Sequence, residues 1–263
     1  MKLFLFLILL FTPYFVFCQN DNTPQKTNYL FDYTIIYNTS RHIERAGVLI
    51  INDTSTKSIF HEKKDKKRKR ITKKEGKRII TLSNKKTRFN FFDYNRDSLI
   101  SKEDILNEGF NVKEKIPVFN WKLLDTTKVI NNISVKCATT NLRGRKYIAW
   151  YSTKYPVKSG PWKFNGLPGL IVDVYDETKR YRWTLSKIYS EKINFEKYIS
   201  KIINNDLPNI QLKEFVNLKY SNNRKIISRL QSKLPRGARA SFTRAKRSDK
   251  ELQFEWEKTA TKK

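Results

Sequence analysis

The chain has 263 residues, with 54 Lys or Arg against 25 Asp or Glu, a formal charge of +29. That length suits one domain of above-average size, or one domain with insertions, and it can bury a core without disulfide staples. Two cysteines and two histidines exclude a disulfide framework and a Cys/His metal cluster, and no EF-hand loop appears, so no cofactor or metal is expected, with a carboxylate-only site for a hard cation left open.

Met1-Lys2 precedes an apolar run of 15 residues, 3–17, that contains Pro13. A membrane-spanning helix needs roughly 20 such residues, so the run reads as a secretory signal over 1–18, cut after Cys18. The rival reading, a lipidated Cys18, wants a small residue before the cysteine, and Phe17 is a poor match. Residues 19–263 then form a single exported β-rich domain, with Cys137 as its one thiol.

Tyr29, Phe31, Tyr33, Ile35 and Tyr37 recur at period two, which predicts a strand over 28–39 with one buried face. Further strands are expected at 47–52 and 58–61. The most basic stretch, 62–78 (EKKDKKRKRITKKEGKR), has no apolar period and reads as a solvated excursion between strands. Strands resume at 77–83 and 87–94. Five more follow at 120–124, 134–141, 146–152, 170–175 and 181–189, short and bounded by Gly, Pro, Asn or Asp. With no helical pattern between them, an antiparallel meander is favoured over βαβ units. After Lys192 the period changes. Phe195, Tyr198, Ile199 and Ile202, then Leu212, Phe215 and Val216, and finally Ile226, Ile227 and Leu230, predict a broken helical region near 193–234. Pro235 ends it, and 252–256 is expected to return as an edge strand. The predicted fold class is α+β: one strongly curved, half-barrel-like antiparallel sheet of about eight to ten strands, with helices toward the C-terminus.

The densest punctuation in the chain is PVKSGPWKFNGLPGLI, residues 156–171. Pro156, Pro161 and Pro168 fix φ, and Gly160, Gly166 and Gly169 open angles that other residues avoid, so the segment specifies one loop shape. Leu167-Pro168-Gly169-Leu170 has the proline and glycine placement of a type II turn. Trp162, Phe164, Leu167 and Leu170 can tuck under a sheet as a structural plug; an aromatic lip for a ligand is the alternative reading.

Other chemistry is sparse. His42 lies near Glu44, a pair able to transfer protons but also readable as two exposed polar residues. Cys137 sits in ISVKCATT, a strand-like setting that makes it a core cysteine. There is neither a GxSxG elbow nor a P-loop. Arg143-Gly144-Arg145 reads as a tight hairpin whose guanidiniums either clamp a carboxylate or phosphate, or bond carbonyls or the acid at Asp173 or Asp176. The basic run lacks the aromatics that single-strand nucleic-acid binders interleave, and export argues against nucleic acid as the natural partner. It suits anionic envelope lipids or polysaccharide, or it is solvated charge from a biased composition.

CATTNLRGR at Cys137–Arg145, Ala149-Trp150-Tyr151 and YPVKSGPWKFNGLPGLIVDVYD at 155–176 closely resemble the GLPGLI family of exported Bacteroidetes proteins, the Porphyromonas-type family of unknown function. The match covers about 70 residues. The resemblance implies a protein of the periplasm or outer envelope of a Gram-negative bacterium, with no established activity. It makes Cys137, Gly144, Ala149, Trp150, Tyr151, the loop residues above and Ile171 the motif positions, read here as structural. Arg143 and Arg145 remain the candidate anion contacts. At the level of architecture only, a curved sheet with tucked-in helices also resembles the half-barrels of periplasmic lipoprotein carriers. The expected function is non-enzymatic: binding a lipid, a peptide or an envelope partner such as an outer-membrane protein. A surface polyanion binder and an enzyme of unrecognised type are the alternatives.

Overall fold

A computed structural model describes residues 27–63, 69–74, 77–82, 87–105, 108–203, 206–220 and 247–257. The expected signal peptide, the helical pattern after 220 and Pro235 lie outside the described residues. The chain begins with β1 (Thr27–Asn38), β2 (His42–Ile51) and β3 (Lys57–Glu62). After β4 (Lys69–Lys74) and β5 (Lys77–Leu82) come β6 (Phe89–Asp93), β7 (Ser98–Ile105) and β8 (Glu108–Lys115). The second half holds β9 (Lys122–Ile130), β10 (Ile133–Leu142), β11 (Arg145–Ser152), β12 (Leu170–Asp176) and β13 (Tyr181–Lys192). Helix α1 (Phe195–Ile202), β14 (Asn209–Gln211) and α2 (Leu212–Tyr220) follow.

Twelve strands form one sheet in the order β14-β8-β7-β6-β3-β2-β1-β13-β12-β11-β10-β9. Every pairing is antiparallel except β14 with β8. The basic stretch leaves this sheet: β4 pairs with β5 in a two-stranded ribbon. The α+β expectation is overturned, because two helices of eight and nine residues stand against a twelve-stranded sheet and the described chain is mostly β. Two causes are visible. The helical periods after 192 extend only about two turns each, and β7 and β8 carry charges (Lys102, Glu103, Asp104; Lys113, Glu114) that broke the apolar alternation. The edge strand expected at 252–256 does not form: 252–254 have no regular structure and 255–256 lie in a turn that Glu257 N closes by donating to Phe254 O at 2.9 Å.

The sheet is open but deeply curled. Seven strands separate β8 from β11 in the order, which in a flat sheet is about 38 Å. Yet the Arg143 Nη2 in the β10–β11 turn lies 2.7 Å from Glu114 Oε2 on β8. The concave face holds the main core: Phe31, Tyr33, Ile35 and Leu49 with Tyr147, Trp162, Phe164 and Trp183. On the opposite face α1 covers Leu30, Val48, Ile50, Ile59 and Phe89 with Phe195 and Ile199. Strand β2 is therefore buried on both faces from Gly47 to Ile51, which explains its unbroken apolar run. Asn194 caps α1 by accepting from the Lys197 N–H. Helix α2 packs Leu212, Phe215 and Val216 on Val112 and Phe254 near the opposite edge.

Candidate functional site

The 156–170 loop is the plug that fills the concave face. Trp162, Phe164, Leu167 and Leu170 are buried, with Trp162 stacked on Trp183 at 5.7 Å. Its backbone is closed on itself by Gly160 N to Phe164 O (2.8 Å) and Gly166 N to Lys158 O (2.9 Å). Tyr33 Oη donates to Ile171 O at 2.6 Å, which fixes the start of β12. The expected type II turn is not present, since among the described glycines only Gly144 and Gly166 have positive φ. Gly169 is required for another reason: a Cβ there would lie 2.2 Å from the Ser152 carbonyl oxygen. The left-handed position is Gly166, at φ +85°.

The same loop carries a charge inward. Lys163 is 2% exposed, and its Nζ reaches Glu114 Oε1 at 2.6 Å and Glu251 Oε2 at 3.0 Å. Burial opposes its charge, but Glu114 and Glu251 outweigh it and hold the ammonium above its ordinary pKa. Arg143 and Gly144 form the two-residue β10–β11 turn, both at positive φ (44° and 80°), as a type I′ hairpin requires. Arg143 donates to Glu114 (2.7 Å), Glu255 (2.8 Å) and Glu251. Its carbonyl accepts from Leu252 N and Gln253 N. Arg145 donates to Asp176 Oδ2 (2.7 Å) and to the Asp249 carbonyl (2.7 Å). Both candidate anion contacts are thus engaged by the protein itself, and together they clamp the segment 247–257 across the open side of the curled sheet.

Behind that segment lies a cavity of about 340 Å³, walled by β1, β2, β7, β8, the plug loop and α2. Most charges around it are matched. Lys163 and Arg143 share Glu114 and Glu251; Arg45 pairs with Glu62; Lys219 pairs with Asp249 at 2.8 Å. Burial works against the Glu62 carboxylate, but Arg88 and Arg45 hold it below the usual carboxylate range. Two cations on the wall are different. Lys250 Nζ has no hydrogen bond or ion pair among the described residues and lies 5.2 Å from the Trp162 ring and 5.6 Å from the Tyr37 ring. Burial pulls its pKa down, with Glu103 opposing. Arg88 likewise has no acid within bonding distance among the described residues. Glu103 faces both, so one uncommitted carboxylate stands against two cations. Such an arrangement can receive a carboxylate or phosphate, since an unpaired desolvated ammonium gains most from a counter-charge.

The remaining sequence candidates lie elsewhere. Cys137 is buried on β10, and burial pushes its thiol pKa up. His42 is exposed and bonds Asn38 Oδ1 at 2.6 Å. Ala149, Trp150 and Tyr151 are core residues of β11. No group of three or more metal-capable side chains occurs among the described residues. Sequence reading missed Lys163, Lys250, Arg88 and Glu103. A lysine held between Trp162 and Phe164 in a rigid loop was the one available signal, because such a lysine must be buried with a partner.

No family model matches the chain, and no curated protein does. Its fold is similar to that of PNGF-II in two crystal forms, at 13% and 12% identity and TM-scores of 0.51 and 0.50. Those alignments cover 74% of this chain and 33% and 34% of the other, so this chain spans about a third of PNGF-II's length. An uncharacterised conserved protein from Thermus thermophilus aligns at 7% identity and a TM-score of 0.38, over 69% of this chain and 90% of that one. The likeness to PNGF-II is one of fold alone. No helix among the described residues is long and apolar enough to cross a membrane.

Proposed function

We propose that this is an exported envelope protein of the GLPGLI type that binds a small anionic ligand, bearing a carboxylate or phosphate, in the cavity behind residues 247–257. The observation that carries the reading is the pair Lys250 and Arg88, two cations on a cavity wall with no acid at bonding distance among the described residues. The N-terminal run 1–18 supports export. An acyl chain in this cavity would cover the Lys250 ammonium and give it no counter-charge, which disfavours the lipid-carrier version. Citrate, inorganic phosphate and palmitate separate these readings by thermal melting of the exported chain. Citrate or phosphate is expected to raise Tm in the wild type and to lose that effect in Lys250→Met and Arg88→Met. A response to palmitate alone, or an anion effect that both variants retain, overturns the proposal.

A second reading has its own support. The β4–β5 ribbon is a sheet of its own and carries six basic residues, with Lys73 opposite Arg78 and Lys74 opposite Lys77. A surface polyanion binder acting there should be retained on heparin, with retention falling steeply as salt rises and vanishing when 64–82 is replaced by a short neutral turn. Retention that survives the replacement sinks that reading.

A further inference from the structure

Three consecutive carbonyls in the segment 247–257 are pinned by side chains of the sheet. Tyr181 Oη donates to Ser248 O at 2.8 Å, Arg145 Nη2 to Asp249 O at 2.7 Å, and Tyr147 Oη to Lys250 O at 2.8 Å. The backbone of Lys250 is therefore fixed, and its side chain is delivered to the cavity wall. Of the three described lysines on that wall, two are paired: Lys163 with Glu114 and Glu251, and Lys219 with Asp249. Lys250 Nζ has no acid at bonding distance among the described residues and stands beside the rings of Trp162 and Tyr37.

An amine so placed has two uses. As an ammonium it meets an anion by charge alone. As a free amine it is a nucleophile, and desolvation or a neighbouring cation is what frees the lone pair. Burial and Arg88 both favour the neutral form of Lys250, against Glu103, Glu62 and Glu251. Arg88 lines the same cavity. Its guanidinium stays charged and can hold the acid group of a ligand whose carbonyl faces Lys250.

We propose that the ligand of this site is a small oxo acid, captured as an imine on Lys250. The inference rests on the anion-binding reading above and narrows it. The Nζ lone pair attacks the carbonyl carbon, and one N–H proton passes to the carbonyl oxygen. The carbinolamine then loses its hydroxyl together with the second N–H proton as water, leaving C=N, with nothing oxidised or reduced. The rings of Trp162 and Tyr37 keep water from the new bond.

Glyoxylate with cyanoborohydride at pH 7 tests it on the exported chain, because reduction of the imine leaves a carboxymethyl group that peptide mass spectrometry maps. Exposed lysines are almost wholly protonated at this pH, so Lys250 should label about tenfold faster than they do, or more. Lys163, buried in the same interior but paired, should stay unlabelled. Propanal has a carbonyl and no acid group. Arg88→Met should cut the ratio of glyoxylate to propanal labelling at Lys250 by about tenfold. Citrate should slow the glyoxylate adduct. A citrate shift in Tm with no adduct at Lys250 overturns the imine and leaves the anion site standing. Exposed lysines or Lys163 labelling as fast as Lys250, or a ratio unmoved by Arg88→Met, also overturns the proposal.

Discussion

Lys163 and Lys250 enter the same interior and differ in what meets them. Lys163 sits between two carboxylates, while Lys250 faces aromatic rings. Removing a partner from a buried pair strands the opposite charge, so Lys163→Met should cost about 3–5 kcal/mol in urea unfolding. Lys250→Met should do the reverse, raising stability by about 1 kcal/mol or roughly 2–4 °C in Tm. The sign follows from linkage. The folded pKa of Lys250 is lowered, so the unfolded chain holds this proton more tightly. Its contribution to stability therefore rises with pH between the folded value and the ordinary lysine range. The Met variant should lack that rise in a Tm-against-pH series; an identical alkaline slope would show that Lys250 is not desolvated in solution. In the sequence only Lys163 carried a signal, its place between Trp162 and Phe164; Lys250 is one lysine among many.

Among elements, the plug loop shows how similar residues do different work. A Cβ on Gly166 would meet nothing within 4 Å, so this glycine owes its identity to φ +85°, whereas Gly169 owes its identity to the Ser152 carbonyl. Gly166→Ala should cost about 1–2 kcal/mol, and Gly166→Asn less, because Asn tolerates the left-handed region. Gly169→Ala and Gly169→Asn should both cost at the upper end of about 1–3 kcal/mol from overpacking. Chemical denaturation distinguishes the two, and an Asn rescue at 169 would contradict the steric reason. The loop's rigidity was legible from its Pro and Gly density. Which glycine met which constraint was not, since Ser152 is distant in sequence. Strands β1, β10 and β13 were legible because each buries one face at period two; β7 and β8 were not, because Lys102, Glu103, Asp104, Lys113 and Glu114 interrupt their apolar alternation.

For the whole molecule, the decisive feature is the ionic seam that joins the β10–β11 turn, the plug loop, β8 and 247–257. Burial opposes the Glu251 carboxylate, but Lys163 and Arg143 hold its pKa below the usual range, and Glu62 is lowered likewise by Arg88 and Arg45. Groups with depressed folded values stabilise above their unfolded pKa, and that stability goes as pH falls through the folded one. The seam should therefore open below about pH 4, seen as lost hydrogen-exchange protection at Leu252 and Gln253 before the core strands exchange. Arg143→Met should bring the same loss at neutral pH; protection unchanged in that variant would mean the seam does not hold the segment. The amino-acid sequence by itself determined the strands with an apolar face, the rigid loop and the excess of positive charge, because each depends on neighbours within a few residues. Only the tertiary structure decided that Arg143 and Arg145 are occupied and Lys250 is not. Curling β8 round to β11 brings Glu114 and Glu251 to some cations and leaves others facing a cavity, and no local pattern encodes that.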